Sequence, residues 1–307
     1  MDHAILRDGD FKAMSRSAIQ HLIESGCVKL QGKVVTRSGM KVRKGQVIEL
    51  RLEAPDKESL ERYDLALETL YEDEFLIVIN KPAGLSMHPG AGIRSKTLLN
   101  AIAGRLAVAP ENWPAGARPG VVHRLDMDTT GLIVVAKDPV THRHLSAQFA
   151  ERTVERQYVA LALCTPRGNR VLRQEQRGTI ETKMGRDPRS RIKMAVLKEG
   201  GRTAVTHWEV IERMHYACYL LLKLETGRTH QIRVHLNHIH SPIIGDKVYG
   251  DFSLLPSNLR LAADKFARQA LHARTLGFVH PSSGRSLQFE REPPKDFLEL
   301  VELFRQN

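Results

Sequence analysis

The chain has 307 residues, with 46 lysines and arginines against 35 acids and a formal net charge of +11. A hydrophobic share of 42% excludes a disordered chain, and no apolar run approaches the ~18 residues that span a bilayer. The start lacks a secretory signal pattern, and three distant cysteines form neither a disulfide framework nor a zinc knuckle. We therefore expect a cytoplasmic globular protein without a membrane partner, whose charge suits a polyanion such as nucleic acid.

The charge is unevenly distributed along the chain. Residues 15–51 hold eight lysines and arginines against two acids, and residues 183–202 hold seven against two. Residues 53–74 hold nine acids against two basic residues. This partition predicts a basic domain over residues 1–52, an acidic linker over 53–66 and a larger domain over 67–307. The basic segment 183–202 is interpreted as an RNA-clasping loop or hairpin, with a solvated surface excursion as the alternative.

The first domain has a readable pattern. Residues 15–26 begin with a hydroxyl side chain, end in glycine and carry apolar residues at helical spacing. Short β segments separated by glycine turns follow. This order resembles the S4-type RNA-binding domain, although the family's longer apolar helix before the start is absent. We expect Arg16, Lys29 and Lys33 to contact RNA phosphates; the alternative is a basic appendage without an RNA role.

The larger domain alternates apolar β-like runs with helical patterns. Strands are expected at residues 75–79, 132–136, 158–163 and 219–224, and a helix at 142–151. Many strands with unevenly placed helices favour an α+β fold with a largely antiparallel sheet over a doubly wound fold. Neither a Gly-x-Gly-x-x-Gly pattern nor a phosphate-binding loop is present, so no nucleotide cofactor is expected.

A polar loop over residues 123–131 joins two of these strands, a position where catalytic groups are commonly displayed. Asp126 and Asp128 permit a paired-carboxylate interpretation, as in glycoside cleavage. Two acids at this spacing in a loop more often have different tasks, one catalytic and one fixing the turn. We expect Asp128, with Thr129 and Thr130, to fix the turn and Asp126 to be the chemical group.

Three histidines near one another in sequence raise the question of a metal site. No acid or cysteine lies close in sequence to His235, His238 and His240. The pattern is therefore weak evidence for a zinc site. RNA-facing or helix-capping roles are the interpretation for these side chains. No metal is expected.

Four separated parts of the larger domain resemble the RluA-type pseudouridine synthases of structured RNA. In chain order they are Val78–Gly84, His123–Leu132, Arg156–Ala160, and Gly227–His235 with Ile244–Gly250. The resemblance covers about residues 66–300, and finer features at 87–92, 185–195 and 271–273 are most like the RluD branch. It implies isomerisation of uridines in large-subunit ribosomal RNA, alone or within pre-ribosomal particles, by a monomer that needs no cofactor.

The resemblance also implies roles for three residues. Asp126 would be the essential carboxylate, acting as nucleophile or as base toward the sugar. Because a carboxylate in a closed pocket needs a cationic partner, Arg233 would hold it in place. Tyr158 would stack on the target base and assist proton transfer.

Further residues match family positions for binding RNA. Arg124 would fill the space that the flipped nucleotide leaves, while Arg228 and His230 would contact phosphate or support the loop. Basic side chains of the 183–202 segment expected to contact RNA are Arg189, Arg191 and Lys193. Lys81 and Pro82 are interpreted as structural, because they shape the exit of a strand.

Two other functions compete with this interpretation. A non-catalytic RNA-binding assembly factor could keep the fold, but it would be expected to lose Asp126, Tyr158 or Arg233, and all three are present. A nucleoside glycosidase would release free uracil, and a basic RNA-gripping domain would give it no advantage.

Overall fold

A computed structural model describes residues 5, 16–43, 45–50, 60–90, 93, 95–114, 118–164, 171–190 and 192–307. The described residues fall into two compact units, one up to residue 50 and one from Leu60 onward, with Pro114 grouping with the first. None of the described helices has the length and apolar character needed to cross a membrane.

The first unit contains one helix and a three-stranded antiparallel sheet of order β2-β1-β3. Its elements are α1 (Arg16–Glu24), β1 (Val28–Leu30), β2 (Lys33–Val34) and β3 (Ile48–Leu50). Ile19 and Ile23 of α1 are fully buried against the sheet because they lie four residues apart on one helix face. Gln31 and Gly32, both with positive φ, form the tight turn between β1 and β2.

The second unit is built on a sheet of ten strands within the described residues. The strands are β4 (Glu68–Glu72), β5 (Leu76–Lys81), β6 (Thr130–Ala136), β7 (Glu155–Leu163), β8 (Arg177–Arg186), β9 (Met194–Val196), β10 (Arg202–Arg213), β11 (Ala217–Leu224), β12 (Leu271–Val279) and β13 (Ser286–Glu290). Their order is β4-β5-β6-β12-β7-β11-β10-β8-β9, and β13 pairs with β12. Among these pairs only β6–β12 is parallel. The predicted α+β class with a mainly antiparallel sheet is confirmed.

Helices surround this sheet. They are α2 (Leu98–Ile102), α3 (Pro139–Glu151), α4 (Val171–Gln174), α5 (Gln231–His238), α6 (Ser257–Phe266) and α7 (Lys295–Arg305). Helix α3 starts three residues before the predicted helix, because the Asp138 side chain accepts hydrogen bonds from the Val140 and Thr141 amides and Pro139 opens the first turn.

The predicted linker overlaps the second unit. Leu60, Tyr63 and Leu65 pack against its hydrophobic core, so residues 60–66 are not the solvated connector that the acidic composition predicted. An apolar residue at alternate positions allows such a segment to bury one side while its acids face water. Residues 53–59 of the predicted linker lie outside the described residues.

Candidate active site

A cavity of about 470 Å³ opens in the second unit, and its described lining comes from six segments. They are the loop before β6, the end of α3, the start of β7, the turn after β11, the start of α5 and the start of β12. Six arginines line it against two carboxylates, Asp126 and Glu225. The cavity is therefore strongly basic, and its charge favours an anionic ligand.

Asp126 lies in a loop whose later end is fixed by hydrogen bonds to Gln269 and His272, around the start of β12. The Thr129 amide donates to the Asp126 carbonyl over 3.1 Å, closing a turn. The Thr129 hydroxyl accepts from Gln269 at 3.0 Å, and the Thr130 hydroxyl lies 2.7 Å from His272 Nδ1. Asp128 makes no hydrogen bond within the described residues; the two threonines, with distant partners, fix the loop instead.

Lys81 supports the same loop from inside the protein. Its side chain is fully buried, and its Nζ donates to the carbonyl oxygens of Pro82, Leu85 and Met127 at 2.8 to 2.9 Å. Burial lowers the pKa of Lys81 to about 7. Because Met127 directly follows Asp126, this side chain ties the end of β5 to the aspartate loop, in the structural role expected from sequence.

Arg233 joins Asp126 to a second aspartate. Its Nη1 lies 3.1 Å from Asp126 Oδ2, while its Nε and Nη2 donate to the two oxygens of Asp246 at 2.7 and 2.9 Å. Burial acts to lower the pKa of Arg233, but the hydrogen bonds that it donates to Asp246 and the charges of both aspartates raise this pKa. The predicted pairing of Arg233 with Asp126 is thus present in the geometry. No role was expected for Asp246 from the sequence, although it lies in the Ile244–Gly250 segment that resembles the family.

Tyr249 packs on the other side of this arginine. The Arg233 Cζ atom lies 5.1 Å from the centre of the Tyr249 ring. The Tyr249 hydroxyl accepts from the Met194 amide and is 2.8 Å from His230 Nδ1. Burial lowers the pKa of His230, which suits an imidazole nitrogen that accepts the tyrosine proton. Asp246 and Tyr249, both from the Ile244–Gly250 segment, therefore fix the direction of Arg233.

Tyr158 lies on β7 and lines the same cavity. The side chain is 6% exposed, and burial raises its pKa. The phenol consequently keeps its proton at neutral pH. A protonated tyrosine in the wall of a cavity can stack on a flat base and donate a hydrogen bond.

The structure brings three of the six other predicted larger-domain residues to this cavity. Arg124, Arg228 and His230 line it together with Asp126 and Arg233. Arg124 is exposed, whereas the Nε of Arg228 donates to the Thr203 carbonyl at 3.1 Å. Residues outside this cavity that were expected to contact RNA are Lys29, Lys33, Arg189 and Lys193.

Their positions differ in the contacts they make. Lys29 and Lys33 are exposed on the sheet of the first unit, and Arg189 is exposed between β8 and β9. The Nζ of Lys193 lies 5.9 Å from the Tyr249 ring centre. Arg191 and the side chain of Arg16 lie outside the described residues.

His235 does not have the RNA-facing or helix-capping role that the sequence suggested. His235 is fully buried, and its ring nitrogens lie 2.8 and 2.9 Å from the hydroxyls of Thr206 and Thr182. It therefore fastens α5 to the sheet and neither faces RNA nor caps the helix. His238 and His240 are exposed. In the described part of the chain, no group of three His, Cys, Asp or Glu side chains is placed to hold a metal ion.

Comparisons with known proteins agree with this arrangement. Residues 75–238 match the RNA pseudouridylate synthase family, and residues 11–48 match the S4 domain. The chain is 39% identical over 292 residues to the ribosomal large subunit pseudouridine synthase D of Zymomonas mobilis, covering 94% of this chain and 89% of the relative. It is 41% identical over 303 residues to the enzyme of that name from Pseudomonas aeruginosa, covering 97% and 90%.

Two solved human structures share the fold. RNA Pseudouridylate Synthase Domain Containing 1 has a TM-score of 0.56 at 27% identity, covering 75% of this chain and 84% of its own. RNA Pseudouridylate Synthase Domain Containing 4 has a TM-score of 0.58 at 24% identity, covering 78% and 93%. By sequence and by fold, this chain belongs to the RNA pseudouridylate synthase family and carries an S4 domain.

Proposed function

We propose that this enzyme converts specific uridines of large-subunit ribosomal RNA into pseudouridine, with Asp126 as the essential carboxylate. The ion pair between Asp126 and Arg233, 3.1 Å apart in a basic cavity beside Tyr158, carries the proposal. The relatives' printed names support the ribosomal substrate. No feature of the cavity favours the competing assembly-factor function, because Asp126, Tyr158 and Arg233 are all present in it.

The reaction rearranges atoms within one nucleotide. The bond from C1′ to N1 breaks, the freed uracil rotates, and a bond from C1′ to C5 forms; C5 loses a proton and N1 gains one. Asp126 assists the first step either by attacking C1′ or by taking a proton from the sugar. The atoms balance without an oxidant or an energy donor. The protein's contribution is to position the carboxylate, retain the detached base and exclude water.

Arg233 supplies the positioning. Asp246 engages two of its nitrogens and leaves Nη1 directed at Asp126, so the carboxylate has one preferred orientation. Tyr158, protonated at neutral pH, offers a ring for the detached uracil and a hydroxyl for proton transfer.

The target nucleotide must leave its helix before any of this chemistry. Flipping costs a few kcal/mol, and the exposed Arg124 at the cavity can fill the vacated stack. Arg228 and His230 contact the strand or hold the turn before α5. We assign outer RNA contacts to Arg16, Lys29 and Lys33 in a domain over residues 1–52, and to Arg189, Arg191 and Lys193 in the basic segment.

The proposal extends to the setting in which the enzyme works. It acts as a monomer in the cytoplasm, on ribosomal RNA or on pre-ribosomal particles. Residues 53–66 connect the RNA-binding domain to a catalytic domain over 67–307, and residues 60–66 of this connection pack against the core of the catalytic domain. Gel filtration with light scattering tests the monomer, and sedimentation of the tagged enzyme with ribosomal precursors tests the particle.

The experiment maps pseudouridines in ribosomal RNA from cells that lack this protein, rescued by wild type or by Asp126→Asn. Sites should disappear in the deletion strain and return with wild type alone. Loss of no large-subunit site would refute the substrate. Restoration by Asp126→Asn would instead remove the aspartate from the chemistry and favour an assembly role.

A further inference from the structure

Arg156 is a buried cation that lacks a counter-ion. The side chain lies on β7, is 8% exposed and lines the cavity. Its Nη2 reaches the Leu224 carbonyl at a long 3.4 Å, and its buried Nε has no hydrogen-bond partner. Within the described residues no carboxylate pairs with it. A buried guanidinium in this state is destabilising unless a ligand completes its contacts.

His123 provides a second unused donor in the same cavity. Its Nε2 accepts the Val134 amide at 3.1 Å, so the ring proton must lie on Nδ1. Burial lowers the pKa of His123 to about 3, and the imidazole is therefore neutral. Its Nδ1 is buried and has no hydrogen-bond partner among the described residues.

The ring of Phe149 packs against both the His123 imidazole and the Arg156 guanidinium. Phe149 stacks on His123 with ring centres 4.5 Å apart and planes 21° apart, and Arg156 Cζ lies 5.4 Å from the Phe149 centre. Gly227 leaves room beside the guanidinium, because a Cβ there would come 3.1 Å from Arg156 Nη1. Two donors held in place by one ring, beside a glycine that has no side chain, are typical of a binding site rather than of a packed core.

We propose that Arg156 and His123 form an anion subsite that receives a phosphate group of the RNA next to the target uridine. The inference rests on the proposed function and adds the part of the substrate that this wall of the cavity recognises. A phosphate fits better than a base carbonyl because the free group carries a full positive charge. Two other arginines of the cavity already have carboxylate partners: Arg152 pairs with Glu225 at 3.4 Å, and Arg233 with two aspartates.

The distance to the reacting centre agrees with this assignment. Arg156 and Tyr158 are two residues apart on one strand, so their side chains leave the same face roughly 7 Å apart. A nucleotide whose base stacks on Tyr158 has its own or its neighbour's phosphate within that range. By holding the RNA backbone next to the target uridine, the subsite would align the sugar of that uridine over Asp126.

The main test replaces single phosphates in the RNA by neutral methylphosphonates. The probe is a synthetic stem-loop of large-subunit ribosomal RNA that contains a mapped target uridine, and the protein is Asp126→Asn, which prevents turnover. One linkage near the target should weaken binding about tenfold. The same linkage should have no effect once Arg156→Met is added. Equal losses in both proteins would overturn the subsite.

Matched variants separate charge from structure. Arg156→Lys keeps the charge and should keep a reduced sensitivity to that linkage, whereas Arg156→Met keeps only the apolar stem against Phe149. Arg152→Met removes an arginine of the same cavity that already has a carboxylate partner, and should retain the full methylphosphonate penalty. A penalty lost in Arg152→Met but kept in Arg156→Met would assign the phosphate elsewhere and refute the proposal.

A second measurement does not depend on the RNA. Inorganic phosphate is titrated into the full-length wild-type protein while the Arg156 Nε–H resonance is followed by ¹⁵N NMR, with chloride of equal ionic strength as control. Phosphate alone should shift that resonance, and an unmoved resonance counts against the site. If wild type forms no pseudouridine but phosphate still shifts Arg156, the proposed function fails while the anion site stands.

Discussion

Asp246 shows how one buried side chain can control a site without reaching it. Its carboxylate is fully buried and accepts four N–H groups, two from Arg233 and one each from the Val248 and Tyr249 amides. Such a carboxylate has no freedom to rotate, and therefore neither has the guanidinium bound to it. The orientation of Asp126 is thus set by a residue on the opposite side of Arg233.

We expect Asp246→Asn to lower the turnover rate by about a hundredfold while changing KM for RNA little. An amide replaces one acceptor oxygen with a donor, so Arg233 loses a charged hydrogen bond and its aim at Asp126. The free energy of unfolding should fall by about 3 kcal/mol, because a buried cation loses part of its compensation. Single-turnover kinetics and urea denaturation measure the two effects.

Asp251→Asn is the matched control for this variant. Asp251 is exposed, lies five residues further along, and accepts a hydrogen bond from the Ser253 amide at 3.0 Å. Its turnover rate should equal that of wild type. Full turnover in Asp246→Asn, with only stability reduced, would show that the contact is structural and does not position Arg233.

At the scale of elements, the aspartate loop depends on the junction between β6 and β12. These strands pair in parallel through Thr130 with His272 and Gly131 with Ala273. Gly131 has a φ of +113°, and a Cβ there would overlap the Ala273 carbonyl oxygen and come within 2.6 Å of its nitrogen. Only glycine permits this approach, which places the end of the loop against the sheet.

Gly131→Ala should consequently reduce stability by about 3 kcal/mol or more and abolish most activity. The new methyl group must push β6 away from β12, and the left-handed backbone adds strain of about 1 to 3 kcal/mol. Gly284→Ala isolates the strain, since Gly284 has a φ of +67° and nothing within 4 Å of its Cβ position. Similar losses in the two variants would contradict the close-approach argument.

The same contrast explains what the sequence could predict. The strand cores and α3 were predictable because local apolar runs, Asp138 and Pro139 carry their own signals. The need for glycine at residue 131 comes from a strand 142 residues later at Ala273, which no local pattern encodes. A family pattern indicated Asp126, Tyr158 and Arg233 together, whereas none of them stands out by composition alone.

Residues whose roles depend on partners distant in sequence were harder to assign. Asp246 pairs with an arginine 13 positions earlier in chain order, on another element, and its partner becomes evident only in three dimensions. The free donors of Arg156 and His123 are also invisible in sequence, because a missing partner is a property of packing. The acidic residues of 60–66 predicted a solvated linker, but the few apolar side chains of this segment decide where it packs.

For the molecule as a whole, buried histidines link stability to pH. His235 and His272 are fully buried and hydrogen-bonded on both ring nitrogens. Burial lowers the pKa of each to about 4 from the ordinary 6.5. Between these values the unfolded chain binds more protons than the folded chain, so the free energy of unfolding rises with pH. The contribution is complete above about pH 6.5 and is lost as pH falls toward 4.

Each histidine should therefore contribute a slope of about 1.4 kcal/mol per pH unit between pH 6 and about 4.5. We expect His235→Gln to flatten the pH dependence of the free energy of unfolding by that amount, measured by urea denaturation across this range, although the variant is less stable at pH 7. His144→Gln removes an exposed histidine and should leave the slope unchanged. An unchanged slope in His235→Gln would mean that His235 takes up a proton in the folded protein, which its two threonine hydroxyls and complete burial oppose. The acid sensitivity of the fold would then have to arise from His272 and from carboxylates.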